Sequence, residues 1–177
     1  MMHAGSLYLV GMMGAGKSTV GRLLARRLKL RFVDCDHEIE RHCGVKVPHI
    51  FEVEGEAGFR ARESEVLAEL VTMKGIVLAT GGGAVLSAEN RRRLAGHGTV
   101  VYLRARPEDL YGRVRHDRNR PLLATADPLR RLRELHAERD PLYAEIADVV
   151  IDTGRQTVQA LARELVLRLG ERWKASA

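Results

Sequence analysis

LYLVGMMGAGKSTV, residues 7–20, decides how the rest of the chain is read. Leu7, Tyr8, Leu9 and Val10 form a short apolar run of the kind that makes a buried strand, and Val20, Leu23, Leu24 and Leu28 recur at helical spacing. Between them, residues 11–18 fit G-x-x-x-x-G-K-[ST] in the strand-to-helix context that the pattern requires. Glycines there let backbone N–H groups turn toward an anion with no Cβ in the way, and the helix N-terminus adds its dipole. Lys17 then reaches the β- and γ-phosphates of a nucleotide, and Ser18 can ligate Mg²⁺. The stretch reads as a P-loop.

Working outward, apolar segments at residues 31–34, 75–79, 99–103 and 148–152 join 6–10 as five strands, separated by helix-like stretches. That alternation predicts an α/β domain in which parallel strands are linked by crossover helices. Core-facing stripes run through Val66, Leu67 and Leu70, through Leu129, Leu132 and Leu135, and through Leu161, Leu165 and Leu169. Asp127-Pro128 and Pro107-Glu108-Asp109 mark helix starts, and Thr153 to Gln156 fits a capping box. Residues 36–58 read as an insertion between strands, and residues 111–127 as a mobile loop.

With 177 residues and no internal repeat or low-complexity linker, one domain is expected. No apolar run approaches the roughly 20 residues of a membrane helix, and the start MMHAGSLYLV lacks a basic n-region and a cleavage site. A cytosolic protein is therefore expected, with Cys35 and Cys43 as reduced thiols. Lys+Arg 29 against Asp+Glu 23 gives +6 and a pI near 9.7, which calls for an acidic partner: nucleic acid, phosphates or carboxylates. Aromatics at 5% and scattered basic residues make nucleic acid the weaker of these.

What faces the γ-phosphate must come from other segments. Asp34 and Asp36 close the second strand, where alternate side chains share a face if extension persists, and ligands collect beyond the carboxyl ends of such strands. One carboxylate can orient Mg²⁺ through water while the other takes a hydrogen bond or proton from an acceptor hydroxyl; alternatively these aspartates cap a helix starting near His37. Gly81, Gly82 and Gly83 follow the third strand, either as bare backbone for a ligand or as a flexible turn. Arg60 and Arg139 can fork onto a carboxylate or phosphate, and Arg120, stiffened by Pro121, can swing from the loop onto a transferring phosphoryl group. Arg113, Arg115 and Arg118 nearby read from their residues alone as solubility charges. Cys35, His37, His42, Cys43 and His49 are zinc-ligand types, but their spacing is poor for a shared site.

With these residues assembled, the chain resembles the shikimate kinases. The likeness rests on GMMGAGKSTVGRLLARRL, FVDCDHEIE, IFEVEGEAGFRARESEVL, TGGGAV, RPLL and RDPLYAEIADVVIDT, in family order from residue 6 to 170. It implies a three-layer α/β/α P-loop kinase fold with a five-stranded parallel sheet, related to nucleoside monophosphate kinases. The domain would span residues 1–177, with a substrate-binding insertion at about 36–63 and a lid at about 111–127. The implied activity is ATP-dependent phosphorylation of the 3-hydroxyl of shikimate in aromatic amino-acid biosynthesis, by a monomer that binds neither nucleic acid nor membrane.

By that resemblance Gly14, Ala15, Gly16, Lys17, Ser18 and Thr19 hold the ATP phosphates, Ser18 ligates Mg²⁺, and Asp34 supports the metal through water. Asp36 binds the reacting hydroxyl as base. Arg60 and Arg139 grip the carboxylate of shikimate, Gly82 with its neighbours Gly81 and Gly83 offers backbone to the ring hydroxyls, Arg120 meets phosphate, and Arg113 with Arg155 and Gln156 flanks adenine. Cys35 stands where serine or threonine is common, which should alter reactivity toward thiol reagents more than catalysis. The tail ERWKASA lies beyond the likeness. Two rivals stand beside this reading: a gluconate kinase of the same fold, and a non-catalytic nucleotide sensor, against which the intact Lys17, Ser18, Asp34 and Asp36 count.

Overall fold

The structure, a computed structural model, describes residues 5–175. Residues 1–4, where the reading against a leader begins, and the last two residues of the tail lie outside the described residues. Five strands, β1 (Leu7–Val10), β2 (Arg31–Asp34), β3 (Ile76–Ala79), β4 (Thr99–Arg104) and β5 (Val149–Asp152), form one sheet in the order β2-β3-β1-β4-β5, and every pairing is parallel. All four residues of β1 and of β3 are buried, the mark of strands covered on both faces.

Seven helices complete a three-layer α/β/α arrangement: α1 (Lys17–Leu28), α2 (Cys35–Cys43), α3 (Val47–Leu70), α4 (Ala88–His97), α5 (Pro107–Val114), α6 (Pro128–Ile146) and α7 (Val158–Ala175). Helices α1 and α7 pack on each other, and α4 packs with α3, α6 and β4. The buried stripes of α1 (Val20, Leu24), α3 (Val66, Leu67, Leu70) and α6 (Leu132, Leu135) are those the spacing predicts. No helix among the described residues is long and apolar enough to cross a membrane.

The strand order reverses at β1. From there the chain builds β2 and β3 on one side and later β4 and β5 on the other, which opens a crevice beyond the carboxyl end of β1. The P-loop lies in that crevice by connectivity alone.

Several local expectations change in the folded chain. Extension does not persist past Asp34: α2 starts at Cys35, and Asp34 Oδ1 caps it by accepting from His37 N at 3.2 Å. The segment after it is mostly helical, as α2 and the first part of α3 separated by Gly44 to Lys46, and α3 bends at Gly55, whose φ of 69° lies in the left-handed region. Of the expected loop at 111–127, the first four residues finish α5, and Pro121–Leu123 form a 3₁₀ turn. The capping box at Thr153 does not form. Thr153 N and Oγ1 instead both donate to Arg104 O, at 2.9 and 3.2 Å, just past the end of the β4–β5 pairing; α7 starts at Val158, with Thr157 Oγ1 accepting from Ala160 N at 3.1 Å. Asp127 does cap α6, accepting from Arg130 N at 3.1 Å ahead of Pro128.

Candidate active site

Gly14 and Gly16 take φ values of 79° and 93°, which other residues adopt only under strain, and through them the chain rounds the loop into α1. Lys17 Nζ donates to Gly11 O at 2.6 Å and Met12 O at 2.9 Å. Burial pushes the pKa of its ammonium down to about 8, against the pull of Asp36 and Asp34. Ser18 Oγ donates to Asp34 Oδ2 at 2.6 Å, so Asp34 joins the first turn of α1 to the first turn of α2. Gly14, Gly16, Lys17, Ser18 and Thr19 line a cleft of about 360 Å³ together with Asp34, Asp36, Arg113 and Arg120. Ala15 does not line it, since its side chain is buried and its N–H donates to Met12 O at 3.1 Å.

The three residues expected around adenine separate. Arg113 lies on the phosphate cleft, donating to Gly14 O at 3.0 Å and to Thr153 O at 3.2 Å, and so is more than a solubility charge. Arg155 and Gln156 line a neighbouring cavity with Arg104, Arg106, Asp109 and Asp152.

A second cavity opens on the other side of Asp36. Asp36, Arg60, Gly81, Gly82, Gly83, Arg120 and Arg139 line it, and so does Glu63, which the sequence reading missed. Glu63 and Arg139 are each only 1% exposed. Arg60 Nη1 donates to Glu63 Oε1 at 2.8 Å. The signal for Glu63 was its i,i+3 spacing from Arg60 on a helix, hidden among the acids of RESEV. Phe51 and Phe59, with ring centroids 4.7 Å apart, supply an apolar wall, and Pro121 and Leu122 supply another.

The glycine string is resolved by space rather than by flexibility. None of its members has a positive φ. A Cβ on Gly81 would sit 2.5 Å from Glu63 Oε2, one on Gly83 2.3 Å from Arg60 Nη2, and one on Gly82 3.3 Å from Met13 N. Thr80 N and Oγ1 both donate to Leu9 O, at 3.1 and 2.9 Å, which pins the string against the end of β1. Tyr143 OH donates to Gly82 O from beneath.

Polar satisfaction sets this cavity apart. Five buried side-chain polar atoms among the described residues have no hydrogen-bond partner, and four of them belong here: Asp36 Oδ1, Arg60 Nε, Glu63 Oε2 and Arg139 Nε. The fifth, Arg91 Nε, lies 3.1 Å from Glu145 Oε2. Native proteins seldom leave such atoms unpaired, so their concentration in one pocket marks where a polar ligand binds. Burial, and next the charge of Asp34, raise the pKa of Asp36, while Lys17, Arg120 and Arg60 oppose the shift. Burial likewise raises that of Glu63 against Arg60. Both carboxylates are thereby held nearer their protonated forms, as proton acceptors often are.

Asp36, Gly81, Gly82 and Arg120 line both cavities, so the two meet across one shared wall. This is the geometry of a group transfer between two bound molecules.

Cys35 is fully buried, and burial with Glu63, Asp36 and Asp34 close by raises its pKa well above the usual thiol value, the environment of a structural rather than a reactive cysteine. Among the described residues, no group of three or more His, Cys, Asp or Glu side chains is gathered as a set of metal ligands. Ser18 Oγ and Asp34 Oδ2 are nevertheless adjacent hard oxygen donors, which fit Mg²⁺, an ion that takes one or two protein oxygens and completes its shell with phosphate and water.

A family model described as shikimate kinase matches residues 13–170. The shikimate kinase of Thiobacillus denitrificans is 60% identical over 169 residues, covering 96% of this chain and 92% of that protein. That of Ralstonia nicotianae is 59% identical over 168 residues, covering 95% and 88%. Among solved structures, shikimate kinase from Acinetobacter baumannii in complex with shikimate aligns with a TM-score of 0.93 at 49% identity, covering 95% of this chain and 94% of that one.

Proposed function

The chain belongs to the shikimate kinase family, and we propose that it transfers the γ-phosphoryl group of ATP to the 3-hydroxyl of shikimate, giving shikimate 3-phosphate and ADP. The observation that carries this reading is the shared wall: Asp36 and Arg120 line both the phosphate cleft and the cavity holding the unpaired arginine and carboxylate atoms.

Residues 14–19 take the phosphates, and Lys17 exchanges its bonds to Gly11 O and Met12 O for phosphoryl oxygens. Mg²⁺, held by Ser18 with Asp34 behind it, would neutralise charge on those oxygens when bound. On the other side Arg60 and Arg139 fork onto the carboxylate of shikimate, the ring lies by Phe51 and Phe59, and the backbone at Gly82 meets a ring hydroxyl. Asp36 accepts the hydrogen bond of the 3-hydroxyl and aims its oxygen at the γ-phosphorus. As that O–P bond forms, the bond from the γ-phosphorus to the bridging oxygen of ADP breaks, and the hydroxyl proton passes to the Asp36 carboxylate. Arg120 stabilises the equatorial oxygens in transit. Arg155 and Gln156 line the cavity that we assign to adenine. Residues 36–63 would act as the acceptor-side insertion and residues 111–127 as the lid. Because one chain supplies both cavities, a monomer suffices, and we place it in the cytoplasm with its small-molecule substrates.

The test is the product. Incubation with Mg-ATP and shikimate should give one new phosphate monoester whose phosphorus couples to the proton on C3 in NMR. A phosphate on another carbon, or no ester at all, would contradict the assignment.

A further inference from the structure

Arg120 can act on a phosphoryl group only if its guanidinium is held toward the shared wall, and its sequence neighbours Asn119 and Pro121 offer it no charged partner. We infer that Asp117 is the positioning residue for Arg120. The inference rests on the role proposed above for Arg120.

Both oxygens of Asp117 are engaged within the loop. Oδ1 accepts from Asn119 N at 2.9 Å, and Oδ2 accepts from Arg120 Nε at 3.0 Å. The backbone of Asp117 is in turn anchored to the preceding helix, its N–H donating to Val114 O at 2.9 Å. A chain of bonds therefore runs from the buried end of α5 to one edge of the guanidinium. That edge is the Nε side. Among the described residues the terminal Nη1 and Nη2 hydrogens, a pair that matches two phosphate oxygens, meet no acceptor, and the residue that carries them lines both cavities. The charge of Arg120 already reaches across the wall, adding to the effect of burial in lowering the pKa of Lys17 and opposing the rise in that of Asp36.

The pair is 35% and 34% exposed, and a solvated i,i+3 ion pair contributes little to folding stability. Its effect lies in orientation. A flexible arginine with one edge fixed loses less freedom on meeting phosphate than a free one, and the saving appears in the transition state that Arg120 contacts. Charge acts the other way, since a carboxylate beside Arg120 weakens its field at the phosphate. The geometry must outweigh that loss.

A double-mutant cycle tests this. Asp117→Ala should lower kcat about tenfold, with the KM for shikimate changed less than about threefold and melting temperature nearly unchanged. Asp117→Asn, which keeps one of the two acceptors, should fall between Asp117→Ala and the parent. Arg120→Ala should cost more than either, and adding Asp117→Ala to it should cost nothing further. Wild-type kcat in Asp117→Ala, or the same tenfold loss on both backgrounds, would overturn the inference. Wild-type turnover in Arg120→Ala would overturn the role of Arg120 itself and this inference with it.

Discussion

On the phosphate side of Asp36 one contiguous stretch, residues 11–19, lines the cleft, and its polar side chains are already paired: Lys17 within the loop on Gly11 O and Met12 O, Ser18 on Asp34 at the end of β2. On the acceptor side Asp36, Arg60, Glu63, Gly81 to Gly83 and Arg139 arrive from remote segments, and four of their own buried polar atoms stay unpaired. A phosphate is the same in every nucleotide, so one compact sequence device suffices for it. A particular hydroxy acid must be matched in several directions at once, and only tertiary structure can supply them. The contrast predicts that changes on the acceptor side discriminate among substrates, whereas changes on the phosphate side alter nucleotide handling alone.

The sharpest break in that contrast is at the wall itself. Asp36→Asn should cut turnover by about 10² to 10⁴ with ATP affinity nearly kept; unchanged turnover would remove Asp36 as the aligning base. Next in size, Arg139→Ala should weaken shikimate by about 1.5–3 kcal/mol while leaving ATP binding alone, and should cost the carboxamide analogue much less. Equal losses for acid and amide would mean that Arg139 does not meet the carboxylate.

A pH titration reads the phosphate side. With its pKa near 8, Lys17 is charged below that pH and increasingly neutral above it, whereas phosphate favours the charged form. Affinity for Mg-ATP should therefore be flat below about pH 8 and fall by up to tenfold per unit above it, with proton uptake seen in calorimetry. A flat profile to pH 10 would contradict this.

Smaller still is a stability effect. The pKa of Asp36 is raised in the fold, so its contribution to stability is present at low pH and is lost as pH rises through the folded value. Asp36→Asn should then melt higher than the parent at neutral pH, and the gap should close toward pH 3.8, the ordinary carboxyl value. A lower melting temperature at neutral pH would reverse the sign assigned to its burial. Least in amplitude, amide exchange across residues 115–127 should slow when nucleotide and acceptor are both bound, and no change at saturation would argue against a lid.

How much could be read in advance follows the same divide. The five strands fall within a residue of their sequence-based bounds because each is a short apolar run between turns, a local signal. The phosphate cleft was legible for the same reason. Thr153 was misread as a cap because its partner, Arg104 O, lies across a strand pairing. At Asp34 and Asp36 the sequence left extension and helix capping open, and the structure chooses capping because α2 begins immediately after Asp34; Glu63 was missed because a buried acid and a solvated one look alike in sequence. The triple glycine was ambiguous until Glu63 and Arg60 were seen packed against it.

On this reading one chain joins ATP chemistry to a specific hydroxy-acid acceptor. Initial rates of ADP release from Mg-ATP, coupled to NADH oxidation and run side by side with shikimate, gluconate, AMP and no acceptor, test it most directly. Turnover is expected with shikimate alone, at about 1–100 per second. Comparable rates with gluconate or AMP, or ATP binding with no turnover on any acceptor, would contradict it.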